Sequence, residues 1–433
     1  MLLEKVVWAG VKEPSFGHAS HALQQLAGVS ISAQRVARAV ERVGQERVAE
    51  RDANVKQFQQ LPIPQWHEAP PNVAVPDVAV VNMDGGRIQY RDRIRPEPSE
   101  PVEEGGRKGR FWREVKVGLL YTADGEPFQE DPCPRIPEVF VDGERLARLV
   151  QEIKGSPTSD ASGSCGEKSP EVSGDSQAPQ PSKVSDCPED EGDASPNASA
   201  VADPPLTGER WSPEPVLRSV VATRRCSEEF GWMLAAAAWQ RGFMAATRRA
   251  FVADGLQQNW AIHRKHFASF VPIVDFVHAI CYVYHAAMAG WPAAEAWQQY
   301  VQWAQWLWSG RVDLVLGAMR SRIEQLKALP DSGNVQQALA ELAEAFRYLE
   351  NNRSRMKYDE YRRLGLPITT AHIESLIKQI HRRMKGTEKF WSKRAEPLLT
   401  LTADYLSETG VMPKYWQRRH QSSTGMRHYS RAA

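Results

Sequence analysis

Near the start of the chain, apolar residues recur with the three-to-four spacing of amphipathic helices. From Ser20 to Arg51 this spacing breaks at Gly28-Val29-Ser30 and resumes at Ile31, where Ser30 is expected to cap a second helix. The polar face of that helix, over 32–47, carries side chains able to reach phosphates and base edges: Gln34, Arg35, Arg38, Arg42 and Gln45. The pattern predicts a helix-turn-helix that binds DNA, although a solvated helix face would have the same pattern.

After a proline-rich connector the pattern changes to that of strands. Val78 to Arg91 is predicted to form two strands joined by an Asp-Gly-Gly turn, and a third strand is predicted from Arg110 to Tyr121. The short apolar runs Ala250 to Ala253 and Phe270 to Val274 flank a predicted helix over 256–266. Such a βαβ unit should have parallel strands. The chain is therefore predicted to be α/β with a mixed sheet.

The other periodic segments predict helices. These are 211–249, the aromatic-rich stretch 278–349 and a last helix over 371–385, which has Glu374 beside its apolar face. We expect the tryptophans of the aromatic-rich stretch to serve packing rather than base stacking.

Charge is unevenly distributed along the 433 residues. The segment 155–205 holds ten acidic and two basic residues, a net charge of −8, which leaves +9 for the rest of a chain that totals +1. This segment is rich in Ser, Pro and Gly and poor in large apolar residues, so we expect a disordered insertion. The remainder is basic, which suits a polyanionic partner.

Cysteine usage and hydropathy exclude several classes of protein. The five cysteines form no CxxC pair, which argues against a disulfide framework or a zinc site. There is no apolar run of about 18 residues and no signal-peptide pattern, so we expect a cytoplasmic protein without a membrane partner.

Three acids stand where metal-dependent phosphoryl transfer needs them. Asp84 ends the apolar run 78–83, Asp254 ends the run 250–253, and Glu374 lies on the last helix. Carboxylates are the ligands that Mg²⁺ prefers, and two ions about 3.5 to 4 Å apart can stabilise the attacking and leaving oxygens at phosphorus. Each acid also has a structural interpretation: a hairpin turn at Asp84, a strand exit at Asp254, and an ion pair of Glu374 with Lys378.

Asp275 ends the next apolar run and competes with Asp254 for the role of second acid. If the Asp254 strand lies beside the Asp84 strand, Asp275 lies one strand further out, an added offset of about 4.8 Å. We therefore prefer Asp254 as the ligand and expect Asp275 and His278 to support the site or the fold.

Several motifs resemble one family of enzymes. The segment 352–391, NRSRMKYDEYRRLGLPITTAHIESLIKQIHRRMKGTEKFW, resembles the region around the catalytic glutamate of ISKra-type insertion-sequence transposases, which are related to Mutator-like transposases. The residues that match are Arg355, Met356, Tyr358, Gly365 to Ile368, Glu374 and Trp391. VNMDGGRIQYRDR, GRFWREVKVGLLY and VADGLQQNWAIHRKHFASFVPIVDFVHA resemble the family's other core segments, while residues 369–372 depart from its glycine-serine-glycine.

The resemblance implies a DDE transposase with a ribonuclease H-like core that an all-helical domain interrupts. Asp84, Asp254 and Glu374 would hold two Mg²⁺ or Mn²⁺ ions, Asp84 contacting both. The expected parts are a helical DNA-binding region (1–62), core segments (72–154 and 208–279), the acidic insertion (155–207), the helical insertion (280–362), final core helices (363–410) and a basic tail (411–433). A bacterial, nucleoid-associated location would follow.

The expected partner is double-stranded DNA, both element ends and target, bound by a homo-oligomer. The basic residues expected to contact DNA are Arg35, Arg38, Arg42, Arg355, Lys378, Arg382, Arg383 and Lys385. Three alternatives remain: a catalytically silent DNA-binding protein derived from a transposase, a ribonuclease H-like nuclease, and a helical scaffold that happens to contain three acids.

Overall fold

Five strands form one mixed sheet, and helices surround it. The computed structural model describes residues 2–91, 111–155, 212–386 and 389–422. The strands are β1 (Val78–Tyr90), β2 (Phe111–Asp124), β3 (Glu214–Thr223), β4 (Arg248–Ala253) and β5 (Val271–Val274). In the sheet they follow the order β3-β2-β1-β4-β5. The first three are antiparallel neighbours, and β1, β4 and β5 are parallel, which confirms the predicted α/β class with a mixed sheet.

The helices precede, connect and follow the strands. In chain order they are α1 (Leu2–Lys12), α2 (Phe16–Ala27), α3 (Ala33–Gln59), α4 (Gly143–Gly155), α5 (Ser227–Gln240), α6 (Gln257–His266), α7 (Phe276–Gly290), α8 (Ala293–Trp308), α9 (Val312–Lys327), α10 (Gly333–Asn352), α11 (Tyr358–Arg363), α12 (Ala371–Met384), α13 (Ala395–Leu406) and α14 (Val411–Ser422). None of these described helices is long and apolar enough to cross a membrane. Nearly all of the predicted insertion 155–207 and the end of the tail 411–433 lie outside the described residues.

Helices cover both faces of the sheet. A Cβ on Gly118 of β2 would meet Leu234 of α5, whereas Tyr121 of the same strand packs edge-on against His372 of α12. Because residues 118 and 121 point to opposite faces of a strand, α5 and α12 lie on opposite sides. Val78 to Val81 are at most 1% exposed, as expected for strands buried on both faces.

The prediction of a turn at Asp84-Gly85-Gly86 is wrong. β1 continues through these residues, and Gly85 and Gly86 pair with Lys116 and Val115 of β2. Neither glycine has a positive φ, which the expected two-residue turn requires. Gly86 instead permits close packing, because a Cβ there would lie 2.4 Å from Nε2 of His381 on α12.

The prediction of continuous helix over 211–249 is also wrong, since 214–223 form the edge strand β3 and the α-helix is confined to 227–240. A short apolar run such as VLRSVVAT fits either structure, and pairing with β2 makes it a strand. The predicted strand-helix-strand order over 250–274, the helical stretch 278–349 and the helix over 371–385 are confirmed.

The N-terminal helices pack on the rest of the chain, and the described residues form one compact unit. The expected break between two helices is confirmed, but the cap is Ser32, whose Oγ accepts the Arg35 N–H, rather than Ser30. Arg47 of α3 is buried and donates from Nε to Asp404 of α13 (2.8 Å). The inner face of α3 is therefore fixed, and its outer face is left to solvent.

Candidate active site

Three aspartates meet where β1, β4 and β5 leave the parallel part of the sheet. Met83 is in register with Ala253, and Ala253 with Val274. The next residue in each strand is an acid, so Asp84, Asp254 and Asp275 follow one another across the same edge, about one strand spacing apart.

Helix α12 brings a fourth acid to this edge. Glu374 lies in its first turn, and two hydrogen bonds tie the segment before the helix to the start of α7. Phe276 N donates to the carbonyl of Ile368 (2.9 Å), and Thr370 N donates to Oδ1 of Asp275 (2.8 Å). Glu374 is therefore positioned by backbone contacts made shortly before it in the chain.

Asp84 and Asp254 each have one oxygen engaged by the local backbone. Oδ1 of Asp84 accepts from Gly85 N (2.6 Å), and Oδ1 of Asp254 accepts from Leu256 N (3.1 Å) and from Nδ2 of Asn259 (2.7 Å). Among the described residues no hydrogen bond reaches Oδ2 of either aspartate. Both carboxylates thus have an oxygen suited to bind a cation.

Asp275 has both oxygens engaged. It caps α7 by accepting His278 N at Oδ2 (3.0 Å), and the same oxygen contacts Nδ1 of the His278 ring (2.5 Å). Its other oxygen accepts from Thr370 N, and the residue is 0% exposed. These contacts agree with the expectation that Asp275 and His278 support the site rather than form its first ligands.

Burial and neighbouring charges raise the pKa values of three of these acids. Burial and the charge of Asp254 raise the pKa of Asp84 to about 6. Burial and the charge of Asp275 raise the pKa of Glu374 to about 7, and burial raises the pKa of Asp254. Burial alone would lower the pKa of His278, but its bond to Asp275 and the nearby carboxylates raise it to about 10.

The donor set suits hard divalent cations. Four carboxylates and one imidazolium give a net charge of three negative units when the acids are ionised, and such a cluster is stabilised by cations that prefer oxygen. The ligand atoms of Asp275, His278 and Glu374 all lie within 4.8 Å of one another. Both oxygens of Asp275 already accept N–H groups, whereas Asp84 and Asp254 each keep one oxygen that accepts none from the described residues.

The predicted DNA-binding residues differ in how far they are exposed to solvent. Arg35, Arg38 and Arg42 are exposed along α3, as are Lys378 and Arg382 on α12, while Lys385 is partly exposed. Arg355 lies against the ring of Trp260 and donates to Asn352.

Arg383 differs from the other predicted DNA contacts. It is 5% exposed and donates to the carbonyls of Gly10 and Pro14, and its guanidinium lies near the Trp391 ring. Its donors face the protein interior, so it joins α12 to the N-terminal helices and is omitted from the proposed DNA interface.

Sequence reasoning missed the residues that support the acids. Asn259 donates to Asp254, Thr370 donates to Asp275, and the hydroxyl of Tyr348 donates to the Asp254 carbonyl (2.8 Å). Asn259 lies only five residues after Asp254, in the first turn of α6, a proximity that could have indicated it. Nothing local distinguishes Tyr348, which lies 94 positions away.

No family model matches this sequence, and no curated protein does so either.

Proposed function

We propose that this protein is a DDE-type DNA transposase that cleaves and joins DNA with two Mg²⁺ or Mn²⁺ ions. The observation that carries the proposal is that Asp84 and Asp254 follow in-register residues of two parallel strands, while Glu374 on α12 lies close enough to Asp275 and Asp84 for their charges to raise its pKa. A partly buried acid cluster with raised pKa values is costly to the fold, and function is a common reason to keep one.

The sheet order supports a ribonuclease H-like core. The three antiparallel strands β3, β2 and β1 are followed by the parallel strands β4 and β5, and α12 returns to the sheet after the helices over 276–363. Such an interrupted core is what the motif resemblance implies. It accounts for two acids near the middle of the sheet and a third that comes much later in the chain.

The chemistry is an in-line displacement at phosphorus. In cleavage, a water oxygen attacks the phosphorus and the 3′-oxygen of the neighbouring nucleotide leaves. In joining, that 3′-hydroxyl loses its proton and attacks a phosphorus of the target strand, and the bond from this phosphorus to the 3′-oxygen of the adjacent target nucleotide breaks. Asp84, Asp254 and Glu374 would hold the ions, which supply activation of the attacking oxygen and charge stabilisation of the leaving one. His278, protonated and fixed by Asp275, offsets part of the negative charge around them.

Basic side chains extend from the acids along α12. Glu374, Lys378 and Arg382 are spaced by four residues, so they form one stripe on the helix. Lys378 and Arg382 are exposed and would contact the phosphates of a strand whose scissile bond lies at the acids. Such contacts fix register without reading sequence. We expect a homo-oligomer to assemble on two element ends.

The outer face of α3 is proposed to recognise the element's end. Replacing Arg38 and Arg42 together by alanine is expected to weaken binding to an end-bearing duplex by about 10- to 100-fold, and binding to unrelated duplex by less, because base contacts are lost with phosphate contacts. Fluorescence anisotropy at fixed salt measures both affinities. Lys56, a basic residue further along α3, provides the control substitution. An equal loss on both duplexes would remove α3 from end recognition.

Strand joining distinguishes the proposal from its alternatives. In this assay a labelled duplex with a free terminal 3′-hydroxyl is incubated with plasmid DNA and Mg²⁺. We expect the label to become covalently attached to the plasmid. A ribonuclease H-like nuclease would cut without joining. A silent DNA-binding protein would bind the ends and do neither, and a helical scaffold would not bind them.

A further inference from the structure

Asp254 is held more firmly than Asp84 or Glu374. Its Oδ1 accepts two N–H groups, one from Leu256 and one from Asn259, a residue that is 7% exposed. Rotation of the carboxylate would break both bonds inside the protein, where an unpaired amide donor is costly. The carboxylate therefore presents one oxygen, Oδ2, in one orientation.

The backbone of Asp254 is fixed as well. The Tyr348 hydroxyl, from α10, donates to the Asp254 carbonyl (2.8 Å), and its ring stacks on Tyr282 of α7 with centroids 3.9 Å apart and an interplanar angle of 17°. Gly255 has a φ of 96°, and a Cβ there would lie 2.9 Å from the Tyr348 ring. The tyrosine ring thus packs directly against the turn that follows β4, which favours glycine for both reasons.

Asn259 and Tyr348, the two residues that hold Asp254, belong to one hydrogen-bond network between α6 and α10. Asn352 donates from Nδ2 to the Tyr348 carbonyl (3.0 Å), and its Oδ1 accepts from Nε1 of Trp260 (3.0 Å). Trp260 is the neighbour of Asn259 on α6. A shift of either helix would therefore disturb the side chain and the backbone of Asp254 together.

A rigid one-oxygen ligand has consequences for ion choice. Mg²⁺ requires nearly ideal octahedral geometry with short bonds, whereas Ca²⁺ accepts six to eight oxygens at variable geometry. Restricting a carboxylate to a single oxygen disfavours the two-oxygen contact that Ca²⁺ commonly uses. Groups that orient a ligand in this way typically contribute 10- to 100-fold to metal affinity.

We propose that Asn259 and Tyr348 are positioning residues that fix Asp254 as a one-oxygen ligand and thereby make the site selective for Mg²⁺ over Ca²⁺. This inference rests on the proposed function, because it takes Asp254 to be a metal ligand. It assigns to the helices over 276–363 a direct part in shaping the metal site, through Tyr348 and its stacking partner.

The test is metal binding without DNA, measured as the rise in melting temperature with increasing Mg²⁺ or Ca²⁺, from which apparent affinities follow. Tyr348→Phe and Asn259→Leu are each expected to lower Mg²⁺ affinity about 10-fold and Ca²⁺ affinity by less than about 2-fold. The control is Tyr300→Phe, which removes a buried hydroxyl that donates to the Phe140 carbonyl (2.6 Å) and touches no acid. It should leave both affinities unchanged.

Equal losses for the two ions, or no loss, would overturn the inference, since a purely structural role would not alter the ratio of affinities. The proposed function is tested separately, by measuring whether the wild-type protein nicks DNA strands. Mg²⁺ selectivity that depends on Tyr348 in a protein that cuts no DNA would uphold the inference and refute the transposase. If the wild-type protein nicks DNA and both variants keep the wild-type ratio of Mg²⁺ to Ca²⁺ affinity, the transposase proposal stands and the inference about Asn259 and Tyr348 fails.

Discussion

Replacing Asp84 by asparagine is expected to lower Mg²⁺-dependent nicking of DNA by on the order of 10³-fold or more. Asp84 lies beside Asp254 on neighbouring strands, on the face of β1 that α12 covers, and in the proposed mechanism it would contact both ions. An amide keeps the shape of the side chain but removes its charge. Single-turnover nicking of a labelled duplex gives the rate.

The same substitution should make the metal-free protein more stable at neutral pH. The pKa of Asp84 is raised to about 6 in the folded state, above the value of about 3.9 in an unfolded chain, so ionisation opposes folding and its cost develops as pH rises from about 4 to 6. Asparagine has no such cost. We expect a gain of roughly 1 to 3 kcal/mol in the free energy of unfolding at pH 7.5 and none at pH 4, measured by urea denaturation with EDTA.

Asp77 offers a matched control for both effects. It immediately precedes β1, and its exposed side chain pairs with Arg248, so Asp77→Asn changes the same atoms at the other end of the strand. It should leave nicking unchanged and shift stability only slightly. Nicking by Asp84→Asn at more than a tenth of the wild-type rate would show that Asp84 is not an essential ligand.

Replacing Asp275 by asparagine is expected to destabilise the protein by about 1 to 3 kcal/mol. Both carboxylate oxygens accept backbone N–H groups, from Thr370 and His278, and an asparagine amide would turn its own N–H₂ towards one of them. Nicking should fall by about 10- to 100-fold, less than for Asp84→Asn, because the Thr370 contact positions Glu374 without Asp275 itself holding an ion. Urea denaturation and single-turnover nicking measure the two effects.

The control for this prediction is Asp142→Asn. Asp142 also accepts a backbone N–H three residues ahead, from Arg145 at the start of α4, but it is exposed. Asparagine caps a helix about as well as aspartate does, so this change should be nearly neutral. An Asp275→Asn protein that unfolds like the wild type yet no longer gains stability from Mg²⁺ would instead identify Asp275 as a ligand.

The sequence predicted the parallel part of the sheet and its acids because these depend on local order. A short apolar run that ends in an acid, followed by a helix and a second such run, leaves few topologies, and Asp84, Asp254 and Asp275 then share one edge. The position of Glu374 on the apolar edge of a helix was likewise readable from periodicity. Periodicity could not predict that α12 packs back against the edge of the sheet where these aspartates lie.

The wrong predictions came from local rules that distant contacts override. Asp84-Gly85-Gly86 has the composition of a turn, yet pairing with β2 keeps it extended and α12 packs against Gly86. Arg383 has the composition of a phosphate contact, yet it is buried against the carbonyls of α1 and the residues that follow it. Tyr348 reaches Asp254 across 94 positions, and no pattern in a single sequence indicates such a pair.

The most direct test of the central claim is nicking of a labelled duplex that carries the element's own end, in Mg²⁺ and in EDTA. The proteins compared are the wild type, Asp84→Ala, Asp254→Ala, Glu374→Ala and Asp275→Asn. The account predicts Mg²⁺-dependent nicking by the wild type, none by the three alanine variants, and reduced but measurable nicking by Asp275→Asn. No nicking by a folded wild-type protein that binds the end, or nicking that survives in any of the three alanine variants, would contradict it.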